Sequence, residues 1–271
     1  MKLDYGTMIS PCPICLTVGT IRKPKLGDIA DSRKMGFDQF KFLESMMSIT
    51  PKDYYEKFNA VESGGRWEQL SDEEKESMTM FQAITEDENL QQIFLILFQF
   101  FFEEPVDYHS GFFIILKPGT VLHEDMTQDD IVGVLDEKLF RQVLSILKQI
   151  CGMKNDDEEF EDIPDHLFKN AKARALYERM KNNKVNEHSN SDDYLNYTLP
   201  NVISKICARH PSINYTNVWE LTVYELLDNF NSMRAGAIYD IDQTRVSVWG
   251  DEHNTFKLDS WYKNEYDKKN D

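Results

Sequence analysis

The chain has 271 residues, of which 41% are hydrophobic, and its formal net charge at pH 7 is −17. This hydrophobic content supports a packed core and excludes general disorder. Residues 51–165 hold 27 acids and 9 bases, so this segment supplies the whole negative excess. Nucleic-acid binding through phosphate neutralisation needs a basic face. The charge therefore predicts no nucleic-acid partner.

Signals for membrane insertion and secretion are missing from the sequence. The most apolar run, Ile93 to Phe102, is interrupted by Gln99. It is also shorter than the roughly 18 residues of a membrane span. The N-terminus lacks the apolar core of a signal peptide. We therefore expect a soluble cytoplasmic protein without a membrane partner.

The first half of the chain is predicted to be mostly helical. Short strands or turns at 5–22 lead into a helix near 26–48, whose apolar residues recur at helical spacing. These residues are Phe37, Phe40, Leu43 and Met47. Pro51 and Ser71 each mark a further helix start. A helix at 88–102 is apolar nearly all round, which predicts a position at the centre of the domain.

A small β element is predicted next. Two apolar runs, Phe112 to Leu116 and Thr120 to Leu122, flank Lys117-Pro118-Gly119. This order is typical of a β-hairpin with a Pro-Gly turn.

A strongly amphipathic helix is predicted at 137–151, with Asp136 as its N-cap and Gly152 as its C′ residue. Six carboxylates follow within the seven residues 156–162. A basic helix comes next, and the polar stretch 182–194 has the composition of a linker.

Two helices are predicted in the C-terminal part. The first spans about 198–209 and is stopped by Pro211. The second begins at Asn217, which resembles a capping-box start with Glu220 three residues later, and Gly236 lies near its end. One face of this helix is apolar and contains Trp219, Val223, Leu226, Leu227, Phe230 and Met233. The face either closes the C-terminal module as a core or binds a partner.

Together these elements predict a mainly α fold, in which a helical N-terminal domain contains a small β-hairpin and a smaller helical module follows. The shifts of charge and polarity along the chain indicate three segments. Residues 1–164 form the acidic N-terminal domain, 165–197 the basic helix and linker, and 198–271 the C-terminal interaction module.

Cys12 and Cys15 form a C-x-x-C motif. A redox motif of this kind precedes a helix, and a zinc site needs a second pair of ligands. Here a strand-like segment follows, and the chain has no second C-x-x-C. We favour two incidental thiols over a metal half-site or a redox pair. Cys151 and Cys207 lie on apolar helix faces and are predicted to be core thiols.

Asp240, Asp242 and Thr244 match the D-x-D-x-T motif of phosphatases that form an aspartyl-phosphate. That chemistry needs further ligands from downstream strands, and only 27 residues follow Thr244. We therefore reject a catalytic function for this motif.

One acidic group is a possible oxygen-rich metal cluster: His123, Glu124, Asp125, Asp129 and Asp130. Acids just ahead of a helix more often complement its dipole, and we favour that interpretation. Phosphate-binding and nucleophile motifs are absent from the sequence. The sequence thus predicts no enzyme, no catalytic residue, no cofactor and no metal.

The most recognisable segment is LTVYELLDNF, Leu221 to Phe230, followed by a Tyr-Asp-Ile step and a late Trp-Tyr-Lys-Asn. With the segments Gly19 to Leu43 and Leu135 to Phe160, in the same order, it resembles the tail assembly chaperones of long-tailed phages that infect Gram-positive bacteria.

This resemblance implies a non-enzymatic tail-morphogenesis protein in the host cytoplasm, with association with the virion left open. Its expected partners are the tape-measure protein and tail-tube subunits; its oligomeric state is open. Alternatives are a minor virion component and an acidic inhibitor of a host protein. The candidate partner-binding residues are Trp261, Tyr262, Trp219, Tyr224 and Phe230.

Overall fold

The computed structural model describes residues 2–58, 66–120, 127–153, 198–251 and 255–262. The acidic segment at 156–162 and the basic helix and linker within 165–197 lie outside the described residues. The fold is mainly α with small antiparallel sheets and a helical C-terminal part, which confirms the predicted fold class.

The chain divides into two units. The first comprises Met1–Met153 together with Trp219–Glu225, and the second comprises Lys154–Val218 and Leu226–Asp271. A short segment from the C-terminal part of the sequence therefore belongs to the N-terminal unit.

Helices make up most of the first unit. They are α1 (Tyr5–Ile9), α2 (Leu26–Ala30), α3 (Phe37–Met47), α4 (Pro51–Asp53), α5 (Arg66–Gln69), α6 (Asp72–Ser77), α7 (Met80–Glu86), α8 (Glu88–Phe101) and α9 (Glu137–Ile150). A π-helical turn, Tyr54–Phe58, continues α4, and a 3-10 turn, Gln128–Asp130, precedes the last strand. The strands are β1 (Ile14–Leu16), β2 (Gly19–Ile21), β3 (Val106–His109), β4 (Phe112–Leu116) and β5 (Ile131–Leu135).

Local capping signals place the starts of two helices as predicted. Ser71 and Glu74 form a capping box at α6, and the Asp136 carboxylate accepts the Leu139 N–H at 2.8 Å at the start of α9. Such side chains satisfy backbone donors that have no partner inside the helix.

The prediction of one continuous helix near 26–48 is wrong, because the chain forms α2 and α3 there. Gly36 has a φ of +88°, in the left-handed region that a continuing α-helix excludes. Its N–H donates to the Ile29 carbonyl at 2.9 Å, which closes the turn between the helices.

The three-stranded sheet has β4 in the middle, and the predicted hairpin paired this strand with the wrong segment. β4 pairs with the preceding strand β3 across Ser110-Gly111, with Phe113 opposite Tyr108. On its other edge it pairs with β5, where Phe113 lies opposite Leu135. Both edges of β4 are therefore occupied, and Pro118-Gly119 begins the connection to β5.

The core of the first unit is built around α8, as predicted. Phe94 and Phe98 are fully buried. The Phe98 ring centroid lies 4.8 Å from that of Phe113 on β4 and 5.8 Å from that of Phe140 on α9. These aromatic contacts join the helix, the sheet and α9, while Ile96 faces solvent.

The β1–β2 hairpin is held between the end of α8 and β5. The Arg22 N–H donates to the Phe101 carbonyl at 2.8 Å. Gly133 of β5 approaches Val18 so closely that a Cβ on Gly133 would lie 2.6 Å from the Val18 Cα. This position therefore requires glycine.

Residues 219–225 pack against α2 within the first unit. The Leu26 N–H donates to the Leu221 carbonyl at 2.8 Å. The Lys25 Nζ lies 2.6 Å from a carboxylate oxygen of Glu220. These residues are 195 positions apart in sequence, so no local signal could predict the contact.

The second unit contains α10 (Leu199–Arg209) and most of α11 (Val223–Trp249), and a 3-10 turn, Ser260–Tyr262, lies near its end. Another 3-10 turn, Val218–Glu220, precedes α11. No helix in the described ranges is both long enough and apolar enough to span a membrane.

Both predicted ends of the second C-terminal helix are wrong. At its start, the Glu225 N–H donates to the Thr222 hydroxyl at 3.2 Å, and the Thr222 N–H donates to the Glu225 carboxylate at 2.7 Å. Asn217 instead accepts the Asn214 N–H. At its end, the helix continues past Gly236, and Gly250, with a φ of +78°, follows the last residue as a C′ glycine.

Candidate interaction surface

The second half of α11 exposes four large apolar side chains, named here the helical stripe: Ile238, Ile241, Val248 and Trp249. Their exposed fractions are 52%, 68%, 64% and 81%. Residues three, seven or eleven positions apart lie on one side of an α-helix. The four side chains therefore lie on one side of α11, where the exposed Arg245 separates Ile241 from Val248. Exposed apolar side chains grouped in this way mark interaction sites.

A different face of the same helix is covered by the return segment, residues 255–262. The Asp251 carboxylate accepts the N–H groups of Thr255 and Phe256, each at 2.9 Å. The Phe256 ring centroid then lies 5.4 Å from that of Tyr239. Because Tyr239 is displaced by about 100° around the helix from Ile238, this packing leaves the helical stripe open.

The return segment ends on Trp261 and Tyr262, named here the aromatic pair. Their exposed fractions are 56% and 65%, and the two rings meet edge to face with centroids 5.3 Å apart. Aromatic side chains offer large contact areas at interfaces and retain a polar group for hydrogen bonding. The aromatic pair therefore has the exposure that partner binding requires.

The other three candidate residues are less exposed. Trp219 lies in the 3-10 turn before α11, Tyr224 in the first turn of α11, and Phe230 farther along the helix, and all three are half-buried. Trp219 and Tyr224 belong to the first unit, whereas Phe230 and the aromatic pair belong to the second. The binding roles of all five residues stay predictions.

The apolar face that the sequence predicts on this helix is buried at its start and only half-buried farther along. Val223 and Leu226, near the start of the helix, are buried. Leu227, Phe230 and Met233 are half-buried. The start of this face therefore has a core function, and the exposed apolar surface lies farther along the helix.

The sequence prediction ends this helix near Gly236 and therefore does not include the helical stripe. The signal was present: Ile238, Ile241 and Val248 recur at helical spacing, and Gly250 is a good C′ residue. Tertiary context and neighbouring helix formers commonly override one interior glycine, which costs about 1 kcal/mol.

Cys12 and Cys15 are both exposed free thiols. Near Cys12 lies Lys23, which is 7% exposed. Its Nζ donates to the carbonyls of Thr7 and Ser10, the latter at 2.6 Å. Burial lowers the pKa of this ammonium, while Cys12 and nearby carboxylates oppose the shift. The hydrogen bonds of Lys23 hold the loop before β1 against the rest of the unit.

Cys151 is buried, and burial raises the pKa of its thiol. Cys207 is half-buried.

The D-x-D-x-T residues lie inside α11, and not after a strand. The Thr244 hydroxyl donates to the Asp240 carbonyl at 2.8 Å, a helical backbone contact. Asp242 lies 3.3 Å from Arg245 one turn later. These contacts are typical of a solvated helix.

Asp130, just before β5, has a local structural partner. The Asp130 carboxylate accepts the Thr127 N–H at 3.0 Å and its hydroxyl at 2.9 Å. His123, Glu124 and Asp125 lie outside the described residues. Within the described ranges, no group of three His, Cys, Asp or Glu residues could hold a metal ion.

The candidate surface and most of the second unit lie in a segment that matches a known family. Residues 177–266 match the model of the YomV second domain, a phage-derived family. This segment includes α10, α11, the helical stripe and the aromatic pair. No curated protein and no solved structure gives a significant match to the chain. The match associates the chain with phages.

Proposed function

We propose that this chain is a non-enzymatic tail-morphogenesis protein of a phage, acting as a chaperone that binds the tape-measure protein, tail-tube subunits or both. The observation that supports this most is the exposure of the helical stripe and the aromatic pair, which lie inside the phage-derived family segment.

A long helical protein that must wait for tube subunits exposes apolar stripes, and these stripes aggregate unless they are covered. A partner with its own apolar stripe and aromatic anchors covers them by removing apolar surface from water. Binding must also be reversible, and a surface of four apolar side chains and two aromatics is small enough for that.

The experiment is co-expression of the full chain with the tape-measure protein of the same phage. We expect the tape-measure protein to be more soluble with the chain than without it, and the two to co-purify. In the Trp261→Ala/Tyr262→Ala variant, co-purification should fall while the melting temperature is unchanged. Tyr215→Ala is the matched control, because Tyr215 is also an exposed aromatic of the second unit, at 60%.

Two results would contradict the proposal. One is a tape-measure protein whose solubility does not depend on this chain. The other is a chain that binds neither the tape-measure protein nor tail-tube subunits but forms a stable one-to-one complex with a host protein. The second result would favour the inhibitor alternative.

A further inference from the structure

We infer that the helical stripe of one chain pairs with the helical stripe of a second copy, so that the free chain forms an antiparallel dimer about a two-fold axis. The inference concerns the chain by itself and does not rest on the proposed function. It assigns an occupant to the exposed stripe and an orientation to the two helices.

The helical stripe consists of two rows of side chains. Ile238 and Trp249 form the first row, and Ile241 and Val248 form the second. At 100° per residue, the members of each row lie within about 20° of each other around the helix, and the rows are about 60° apart. The midpoint of each row lies within one residue of Thr244. Both rows are therefore centred at almost the same level of α11.

This shared centre makes the stripe self-complementary. A two-fold axis near Thr244 places each row against the same row of the second copy, running in the opposite direction. Ile238 then faces Trp249 of the second copy. In the other row, Ile241 faces Val248, and each contact occurs twice in the dimer. The pairing removes from water side chains that are 52–81% exposed in the single chain, which stabilises the dimer.

A charged pair at the middle of the stripe selects the orientation. Arg245 lies 3.3 Å from Asp242 of its own helix, and both side chains remain about half exposed, at 54% and 45%. Their midpoint also lies within one residue of Thr244. Antiparallel pairing therefore brings Asp242 of each copy towards Arg245 of the other, so a covered guanidinium has two carboxylates. Parallel pairing instead places like charges together, which is unfavourable.

The dimer is expected to be weak. Four apolar side chains per copy make a small interface, near the lower limit of about 1,200 Å² in total for specific, stable pairs. We expect a dissociation constant of about 1–100 μM. A pair of this strength covers the stripe in the free chain and leaves it available to a tighter partner.

Sedimentation velocity of the full chain over about 1–100 μM measures the pairing. We expect a shift from monomer to dimer as the concentration rises. Ile238→Ser/Val248→Ser, which changes one side chain in each row, should weaken the association at least tenfold. The matched control is Tyr215→Ser, because Tyr215 is 60% exposed and belongs to the same unit. It should dimerise as the parent does.

Charge variants test the contact between copies. Asp242→Arg and Arg245→Asp should each weaken the dimer several-fold, because like charges then meet across the interface. An equimolar mixture of the two variants should recover the association, since each copy then meets opposite charges. Neither variant keeps the ion pair within its own helix, so recovery in the mixture reports a contact between copies. Circular dichroism checks that the helical content is unchanged.

Disulfide cross-linking tests the orientation. The background is Cys12→Ser/Cys15→Ser, which removes the two exposed thiols. In this background, Ile238→Cys mixed with Trp249→Cys should form a cross-link between copies under mild oxidation. Ile238→Cys alone should not, because the two copies of residue 238 lie about 16 Å apart along the helix axes, beyond the reach of a disulfide.

The inference is overturned if the chain stays monomeric, if Ile238→Ser/Val248→Ser dimerises as the parent does, or if Ile238→Cys cross-links with itself as readily as with Trp249→Cys. Its failure can be separated from failure of the proposed function. A monomeric chain that solubilises the tape-measure protein contradicts only the dimer. A dimer that does not affect the tape-measure protein contradicts only the chaperone function.

Discussion

Gly133 lies where the packing of the first unit leaves no room for a side chain. A methyl group there would lie 2.6 Å from the Val18 Cα and 2.7 Å from its carbonyl oxygen. Real Cβ atoms do not approach backbone atoms so closely, so the hairpin or β5 must move. Gly236 on α11 is the opposite case, because nothing lies within 4 Å of an added Cβ.

The two glycines give a matched pair of predictions. Gly133→Ala should lower the free energy of unfolding by about 1–3 kcal/mol, the range for overpacking. Gly236→Ala should raise it by about 0.5–1 kcal/mol, because alanine has the better helix propensity. Urea denaturation measures both. Equal effects of the two substitutions would show that the close approach of Val18 is absent in solution.

Glu44 on α3 makes stability depend on pH. Burial raises the pKa of its carboxyl from 4.5 to about 7, and Lys41 opposes this shift. The folded state thus keeps the proton at pH values where the unfolded chain has lost it. The contribution of Glu44 to the free energy of unfolding is fully present below about pH 4.5. It is lost as the pH rises through 7, and the loss is at most about 3 kcal/mol.

Glu44→Gln should therefore remove a fall in stability between about pH 5 and pH 8. The measurement is the midpoint of urea unfolding at both pH values, for the parent and the variant. If the two proteins show the same pH dependence, Glu44 titrates normally in the folded state.

At the scale of elements, α8 gives the clearest test of the core. Phe98 is fully buried between the sheet and α9, whereas Ile96, on the same helix, is 40% exposed. Phe98→Ala should cost about 3–5 kcal/mol, as expected for a buried aromatic. Ile96→Ala should lower the free energy of unfolding by much less, about 1 kcal/mol or less. Thermal melting distinguishes the two, and similar losses would contradict the assigned orientation of α8.

Elements defined by local signals were predictable. The Asp136 cap, the Ser71 capping box and the central position of α8 follow from residues close in sequence. The pairing of the strands could not be predicted in this way, because β4 pairs with β3 on one edge and with β5 on the other, and the sequence analysis predicts no strand at β5. The end of α11 was also missed, since a single glycine was given more weight than the apolar spacing beyond it. Because the predicted helix ended too early, the helical stripe was not predicted. The exposure of the aromatic pair was predicted correctly.

At the scale of the whole molecule, the assignment of 219–225 to the first unit affects where the chain can be cut. Truncation after residue 197 removes the Leu221 carbonyl, which accepts the Leu26 N–H. It also removes Glu220, which forms an ion pair with Lys25. Truncation after residue 225 keeps both. The longer fragment should be more stable by about 2–4 kcal/mol, given about 1 kcal/mol for the Leu26–Leu221 backbone hydrogen bond and the burial of Thr222 and Val223.

Limited proteolysis and thermal melting of the two fragments test this expectation. If both fragments melt alike, residues 219–225 do not stabilise the first unit, and the predicted boundary at 198 is a true domain boundary.

The most direct test of the interaction surface is the affinity of the full chain for the tape-measure protein after the helical stripe is changed. Ile241→Ser/Trp249→Ser removes two of its most exposed apolar side chains without touching buried residues. Isothermal titration calorimetry should show affinity reduced by tenfold or more, since each lost apolar anchor contributes about 1–2 kcal/mol. The melting temperature should not change. Phe112→Ser, which changes an exposed apolar residue of the first unit, should bind as the parent does. Parent-like affinity of the Ile241→Ser/Trp249→Ser variant would contradict the account and place the interaction elsewhere on the molecule.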